Sequence, residues 1–301
     1  MKRRIISLIM VLGLICLSSF NVGFVDGTYG VTVGEIYNYE LILARQNLTY
    51  GDHYASCKGL CNWGYQLNEG AILTYEITNV NDLFAGFNLT SGSFHMSMMT
   101  MANFDLTLIL QMSLHSIFLA MSYNLDPWNQ TIWEKGFHIP YLSPFLETSN
   151  DTWDELKNLD QYMTNICDDV SGTNTITQSF SEFQTNEFLE IETYINGDIL
   201  GSLWGDNAEI SINNQLKFVF NTETGVLQGL HIKAWLIGDY ADYEDLEISY
   251  EYFIELVDYD LQDFLFSDVN IVGSFGELMI LGMVAFTIII ILAKYQKKKR
   301  S

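Results

Sequence analysis

The chain has 301 residues, 49% of them hydrophobic, and a formal net charge of −23 at neutral pH. Such an acidic balance excludes electrostatic capture of nucleic acid or of anionic headgroups, and favours solubility, condensed cations or a basic partner. The apolar fraction is enough for a sizeable core.

The N-terminus reads MKRRIISLIMVLGLICLSSF. Lys2, Arg3 and Arg4 precede an apolar run from Ile5 to Leu17, and the small residues Ser18 and Ser19 follow. A positive n-region, an apolar h-region and a small-residue zone predict a secretory signal peptide over residues 1–24. The expected divisions after it are an extracytoplasmic β-rich domain over 25–270, a transmembrane helix over 271–293 and a basic cytoplasmic tail over 294–301.

GEIYNYEL (34–41) and GAILTYEI (70–77) share G-x-I-x-x-Y-E-[LI]. Both read as strands led in by a glycine, with aromatic and aliphatic residues suited to a pleated surface. Between them the Gly-, Asn- and Cys-containing stretch reads as a loop. Short apolar runs follow from Phe84 to Tyr123 and predict further strands, the last two open to a helical reading. Thr152-Trp153-Asp154-Glu155 fits a capping box with Thr152 as N-cap and Glu155 at the third helical position. Trp153, Leu156, Leu159, Met163 and Ile166 then recur at helical spacing and predict one apolar face.

Beyond Gly172 the period falls to two. EFLEIETYI (187–195), AEISI (208–212), QLKFVF (215–220) and VLQGLHIKAWLI (226–237) read as separate strands, and LEISYEYFIELV (246–257) as the longest. In the last, Leu246, Ile248, Tyr250, Tyr252, Ile254 and Leu256 share one face and Glu247, Ser249, Glu251 and Glu255 the other, as a half-buried antiparallel strand requires. Asn221-Thr222-Glu223-Thr224-Gly225 reads as the turn between two of these strands. Asn221 initiates it by bonding backbone two residues on, Gly225 supplies the positive φ, and Thr222 and Glu223 project into water. The predicted class is β-rich α+β: an antiparallel, half-barrel-like curved sheet with a covering helix, plus the C-terminal transmembrane helix.

That last helix is drawn from LMILGMVAFTIIIILA (278–293), uncharged and followed by KYQKKKRS. Sixteen residues rise about 24 Å, and the preceding IVGSFG extends them toward a bilayer's hydrocarbon thickness. The basic tail predicts a cytoplasmic C-terminus, with the N-terminal domain outside a cell membrane crossed once. Between residues 25 and 276, six cations stand against 36 carboxylates.

Nothing in the sequence marks a catalytic centre. The five histidines, His53, His95, His115, His138 and His231, include no H-E-x-x-H pair. No G-x-S-x-G elbow, P-loop or dinucleotide fingerprint occurs, so a non-enzyme is predicted, without a cofactor. FHMSMMTM offers His95, Met96 and Met98 as soft ligands of the kind Cu(I) prefers. Strand alternation, however, sets Met96 and Met98 against Met99 and Met101, and methionines also fill apolar cores, so no metal site is assigned. No D-x-[DN]-x-[DN]-G calcium loop occurs. Sequons at Asn47, Asn88, Asn129 and Asn150 predict glycosylation of an exported surface. Cys57, Cys61 and Cys167 are disulfide candidates with one thiol left over, their pairing open. The abundance of Phe, Tyr, Trp and Met allows a hydrophobic ligand between sheet and helix, or a plain core.

The signal peptide, the strand from Gly34 to Tyr39, the helix led in by Pro144 and Trp153, and the hairpin from Phe220 to Leu227 together resemble archaeal single-span surface proteins of the "choice-of-anchor" kind. The hairpin also resembles the strand-turn-strand of bacterial periplasmic lipoprotein carriers, which fold as incomplete β-barrels around a lipid cavity. The resemblance implies architecture and location: a membrane-anchored surface module that meets another surface protein, or a holder of a lipid-like ligand.

Overall fold

The computed structural model describes residues 29–51, 53–62, 65–101, 144–168, 171–203, 206–240 and 243–266. The signal peptide, the apolar C-terminal run, the basic tail, the apolar runs between 102 and 123, and Asn129 lie outside the described residues. The chain divides into two units, Met1–Phe264 and Leu265–Ser301, and the described residues fall almost wholly in the first.

The first unit is mostly antiparallel β-sheet. Its strands are β1 (Ile36–Tyr50), β2 (His53–Lys58), β3 (Leu60–Asn62), β4 (Tyr65–Leu67), β5 (Ile72–Val80), β6 (Phe84–Ser91), β7 (Phe94–Met101), β8 (Ser171–Asn174), β9 (Thr177–Gln184), β10 (Phe188–Leu203), β11 (Asp206–Asn221), β12 (Leu227–Tyr240) and β13 (Tyr243–Leu256). Two short helices, α1 (Asn150–Lys157) and α2 (Leu159–Asp168), precede β8. Among the described residues, one open sheet runs β7-β6-β5-β1-β13-β12-β11-β10-β8, with β2 also on β1 and β9 also on β10; β3 and β4 form a separate hairpin.

Cross-strand register makes one face of this sheet apolar from end to end. Ile191, Phe218, Leu230, Ile254 and Leu41 form one row across β10, β11, β12, β13 and β1. Gly197, Ile212, Leu236, Ile248 and Leu48 form another. On the far side Leu73, Tyr75, Phe87 and Leu89 continue the buried surface. Trp153, Leu156, Leu159 and Met163 of the helices belong to the same core, with the Trp153 ring 6.3 Å from Phe220. The side chain of Gln178 on β9 bonds Thr164 of α2.

Several sequence expectations need correction. The stretch after Leu41 is not a loop: β1 continues to Tyr50 and pairs with β2. A bulge between Leu41 and Leu43 shifts the inward parity from odd to even residues, so Ala44, Gln46 and Leu48 point inward. That break hides the strand from a period-two reading. AEISI and QLKFVF are one strand, β11, running straight through Asn213 and Asn214, both buried. β10 and β11, each 16 residues, therefore exceed the 14 of β13. The helix is capped by Ser149, whose Oγ accepts from the Thr152 amide at 3.2 Å, and not by Thr152, which is buried inside α1. Its periodicity continues, but the backbone breaks at Asn158 into two helices.

The turn at 221–225 forms as expected, and is walled in more closely than a solvent loop. Asn221 Oδ1 accepts from the amides of Glu223 (3.0 Å) and Thr224 (2.9 Å), and Gly225 has φ 71°. Glu223 is exposed, but Thr222 is half-buried and its amide donates to Glu187 O at 2.8 Å. The Leu146 amide donates to Gly225 O, and the Leu227 amide to Pro144 O, both at 2.8 Å.

The same segment brings distant strands together. Phe145 forms an isolated bridge with Val226, its carbonyl accepts from Thr100 Oγ1 of β7 at 3.0 Å, and its ring packs against Tyr37 and Phe87. Tyr39 adds a buried tie, donating its hydroxyl to Leu227 O at 2.7 Å.

Candidate functional site

The apolar face consumes alternate side chains of every long strand, so the residues between them must share the opposite face. There the chain's scattered charges meet. One row runs Glu192 (β10), Lys217 (β11), His231 (β12) and Phe253 (β13). The next runs Gln215, Lys233, Glu251, Arg45 and Lys58 across β11, β12, β13, β1 and β2. Opposite charges directly across a ladder are mildly stabilising, and like charges are not. The like pair, Arg45 and Lys58, is bridged by Glu69, at 3.0 Å from Arg45 Nε and 3.5 Å from Lys58 Nζ. Among the described residues, Lys157 on α1 is the one cation outside this lattice, 3.8 Å from Asp154.

Lys217 is the centre of the arrangement. Its side chain is only 3% exposed, and Nζ lies 2.9 Å from Glu190 Oε1 and 3.6 Å from Glu192 Oε2. It also donates to Asp263 O at 3.1 Å. A buried ammonium needs such neutralisation, because desolvating a lone charge costs several kcal/mol. Fully engaged in this way, it is not presented as a nucleophile or Schiff-base amine.

Beside it, His231 Nε2 lies 3.3 Å from Glu251 Oε1, and its ring stacks on Phe253 with centroids 4.7 Å apart. The bond to His231 holds the Glu251 carboxyl below the usual carboxylate range, helped by the charges of His231, Lys233 and Arg45 and opposed by burial. Glu255, further along the same face, is pushed up by burial, while the Leu261 amide bonded to it acts the other way. On the apolar face burial raises the Tyr39 and Tyr252 phenols far above their ordinary value, so both remain neutral donors.

The residues singled out from sequence lie elsewhere, and they are dispersed. Met96 and Met98 sit opposite Leu89 and Phe87 and pack against the core, while His95 is exposed on the other face of β7. The structure does not bring the three together, and among the described residues no group of three His, Cys, Asp or Glu side chains could hold a metal ion. Asn47 is exposed on β1, Asn88 half-buried on β6, and Asn150 exposed as the first residue of α1. Cys57 is disulfide-bonded, and of the three cysteine candidates it is the one whose side chain is described.

Sequence reasoning missed the charge lattice altogether. Parity alone places Lys217 and His231 opposite their apolar neighbours, but only the register puts them side by side. Compared with protein-family models, curated proteins and solved structures, the chain matches none.

Proposed function

We propose that this protein is a membrane-anchored surface module, extracytoplasmic and non-catalytic, whose β-rich domain binds or supports another surface component. The observation that carries this reading is the uncharged run 278–293 followed at once by five cations in the last eight residues. Among the described residues no helix is long and apolar enough to cross a membrane, and the run itself lies outside them. The lattice supports the same reading. With four of the described cations, Arg45, Lys58, Lys157 and Lys217, set against carboxylates, what remains for a partner is an acidic surface, suited to a basic protein and unsuited to nucleic acid. The exposed sequons Asn47 and Asn150 are consistent with a glycosylated exterior. Alkaline carbonate extraction of membranes containing the full chain tests the anchor: retention in the pellet is expected, and release into the supernatant would remove the reading.

A second reading, a carrier or sensor of a lipid-like ligand, is favoured by one feature of the apolar face. Gln46, 4% exposed, has neither amide atom hydrogen-bonded, and the buried Thr193 hydroxyl is likewise unpaired. An unmet buried polar group costs about 1–3 kcal/mol, so each calls for a water or a ligand head. A curled, half-barrel-like sheet covered by the helices would suit such a ligand. Phe145 touches both β7 and the start of β12, strands five places apart that a flat sheet would hold about 24 Å from each other. Native mass spectrometry of the full chain separates the readings: a co-purifying lipid adduct on the apolar face, lost in Gln46→Leu, favours the second, and a clean apo mass favours the first.

A further inference from the structure

The chain does not leave the sheet when β13 ends at Leu256. A turn with Asp258 at φ 75° reverses it, and residues 257–264 lie back across the charged face. The Val257 amide donates to Asn38 O, and the Tyr259 ring rests 6.3 Å from Phe188. Leu261 is buried over Gly229, where even an added Cβ would come within 3.1 Å of it. Its amide donates to Glu255 Oε2 at 3.3 Å. Asp263 O receives Lys217 Nζ, and the Phe264 ring sits 4.4 Å from the ring of His231.

This is a thin attachment. Leu261 is the one fully buried side chain of the eight, whereas the strands beneath carry complete ladders on both edges. Segments with few buried apolar contacts open locally without unfolding the rest. The attachment also runs through an imidazole, the side chain class that changes charge near neutrality. Protonation turns the His231 ring into a cation against Phe253 and Phe264, and its bond to Glu251 into an ion pair. The groups that face His231 are Lys217 from β11, backed by Glu190 and Glu192 of β10, Glu251, Phe253 and Glu255 from β13, Lys233 on its own strand, and Asp263 and Phe264 from the segment itself. Glu255, raised by burial, accepts from the Leu261 amide, and its protonation in acid weakens that bond, so it works against the His231 effect. Lys217 opposes a second positive charge, but its two glutamates already neutralise it.

We propose that residues 257–264 are a pH-sensitive strap, held down by protonated His231 through Phe264 and released more readily when the imidazole is neutral. Release frees eight residues, up to about 27 Å of extended chain between Leu256 and residue 265. If the chain beyond 265 is membrane-bound, the strap sets how far the domain can stand off. That consequence rests on the anchor reading; the strap does not.

Hydrogen–deuterium exchange of the full chain in detergent, at about pH 5 and about pH 8 with labelling times scaled to intrinsic rates, reads the strap directly. Amides around Leu261 should be roughly 3- to 10-fold more protected at the acidic pH, the factor a partly exposed cation–π pair supplies, while β11 amides stay constant. With Glu255→Gln in place to remove the other titrating contact of the strap, His231→Gln should erase the difference, and so should Phe264→Ala. Equal protection at both pH values in the Glu255→Gln chain would overturn the proposal, as would a pH response in it that survives both substitutions. Should His231→Gln loosen β11 as well, Phe264→Ala decides alone, since it removes only the strap's ring. A chain found to be soluble without detergent would sink the anchor and leave this readout standing.

Discussion

Replacing Gly225 should be far more costly than its place in a turn implies. At φ 71° a side chain meets left-handed strain of about 1–2 kcal/mol. The larger effect is the wall: a Cβ on Gly225 would lie 2.0 Å from Leu146 O and 3.2 Å from Thr148 Cγ2. The Leu146 carbonyl must retreat by more than an ångström. With it go the Leu146-to-Gly225 and Leu227-to-Pro144 backbone bonds, each worth about 1 kcal/mol net. The expected loss for Gly225→Ala is therefore about 3–4 kcal/mol, and nearly the same for Gly225→Val because the offending atom is the Cβ itself. Urea unfolding of the full chain in detergent, followed by tryptophan fluorescence, should show the midpoint fall by about 1 M or more. A loss near 1 kcal/mol would match strain alone, and would mean that the 144–146 segment does not lie against the turn.

Other substitutions probe the two faces separately. Lys217→Met leaves the buried Glu192 carboxylate without its cation and should cost about 3 kcal/mol by the same melt; a neutral result would show that the lattice is not desolvated. Tyr39→Phe removes the bond to Leu227 O and should cost about 1–2 kcal/mol with the spectrum of the fold unchanged. Glu35 is held below the usual carboxylate range by the Thr32 amide, with Tyr37 also donating to it. Its stabilisation is thus present above its unfolded pKa and lost as pH falls through the lower folded value. Glu35→Gln should destabilise at neutral pH, with the gap to the parent closing below about pH 4.5; a gap that widens in acid would contradict the assignment.

How much of this could be read from the sequence depended on whether one strand or two were involved. The alternation of β13 and the Asn221–Gly225 turn are local, and both hold. β1 escaped because the Leu41/Leu43 bulge switches its parity, and β11 was split because Asn213-Asn214 looks like a turn until both side chains are seen to be buried. Ser149 was passed over because Thr152 also satisfies a capping pattern, and only the backbone geometry chooses between them. The charge lattice was beyond reach: Arg45, Lys58, Lys217 and Lys233 span almost 190 positions, and nothing but register aligns them. The strap was equally hidden, since Asp258 to Phe264 shows no periodicity and its partners lie on β10, β11, β12 and β13.

The proposed arrangement is an acidic sheet domain facing outward on a single anchor. External protease applied to intact cells carrying an epitope after Ser301 tests it most directly. Loss of the domain from outside is expected, with the epitope protected until the membrane is opened. Protection of the domain in intact cells, or digestion of the epitope with it, would rule out an outward-facing domain on one anchor.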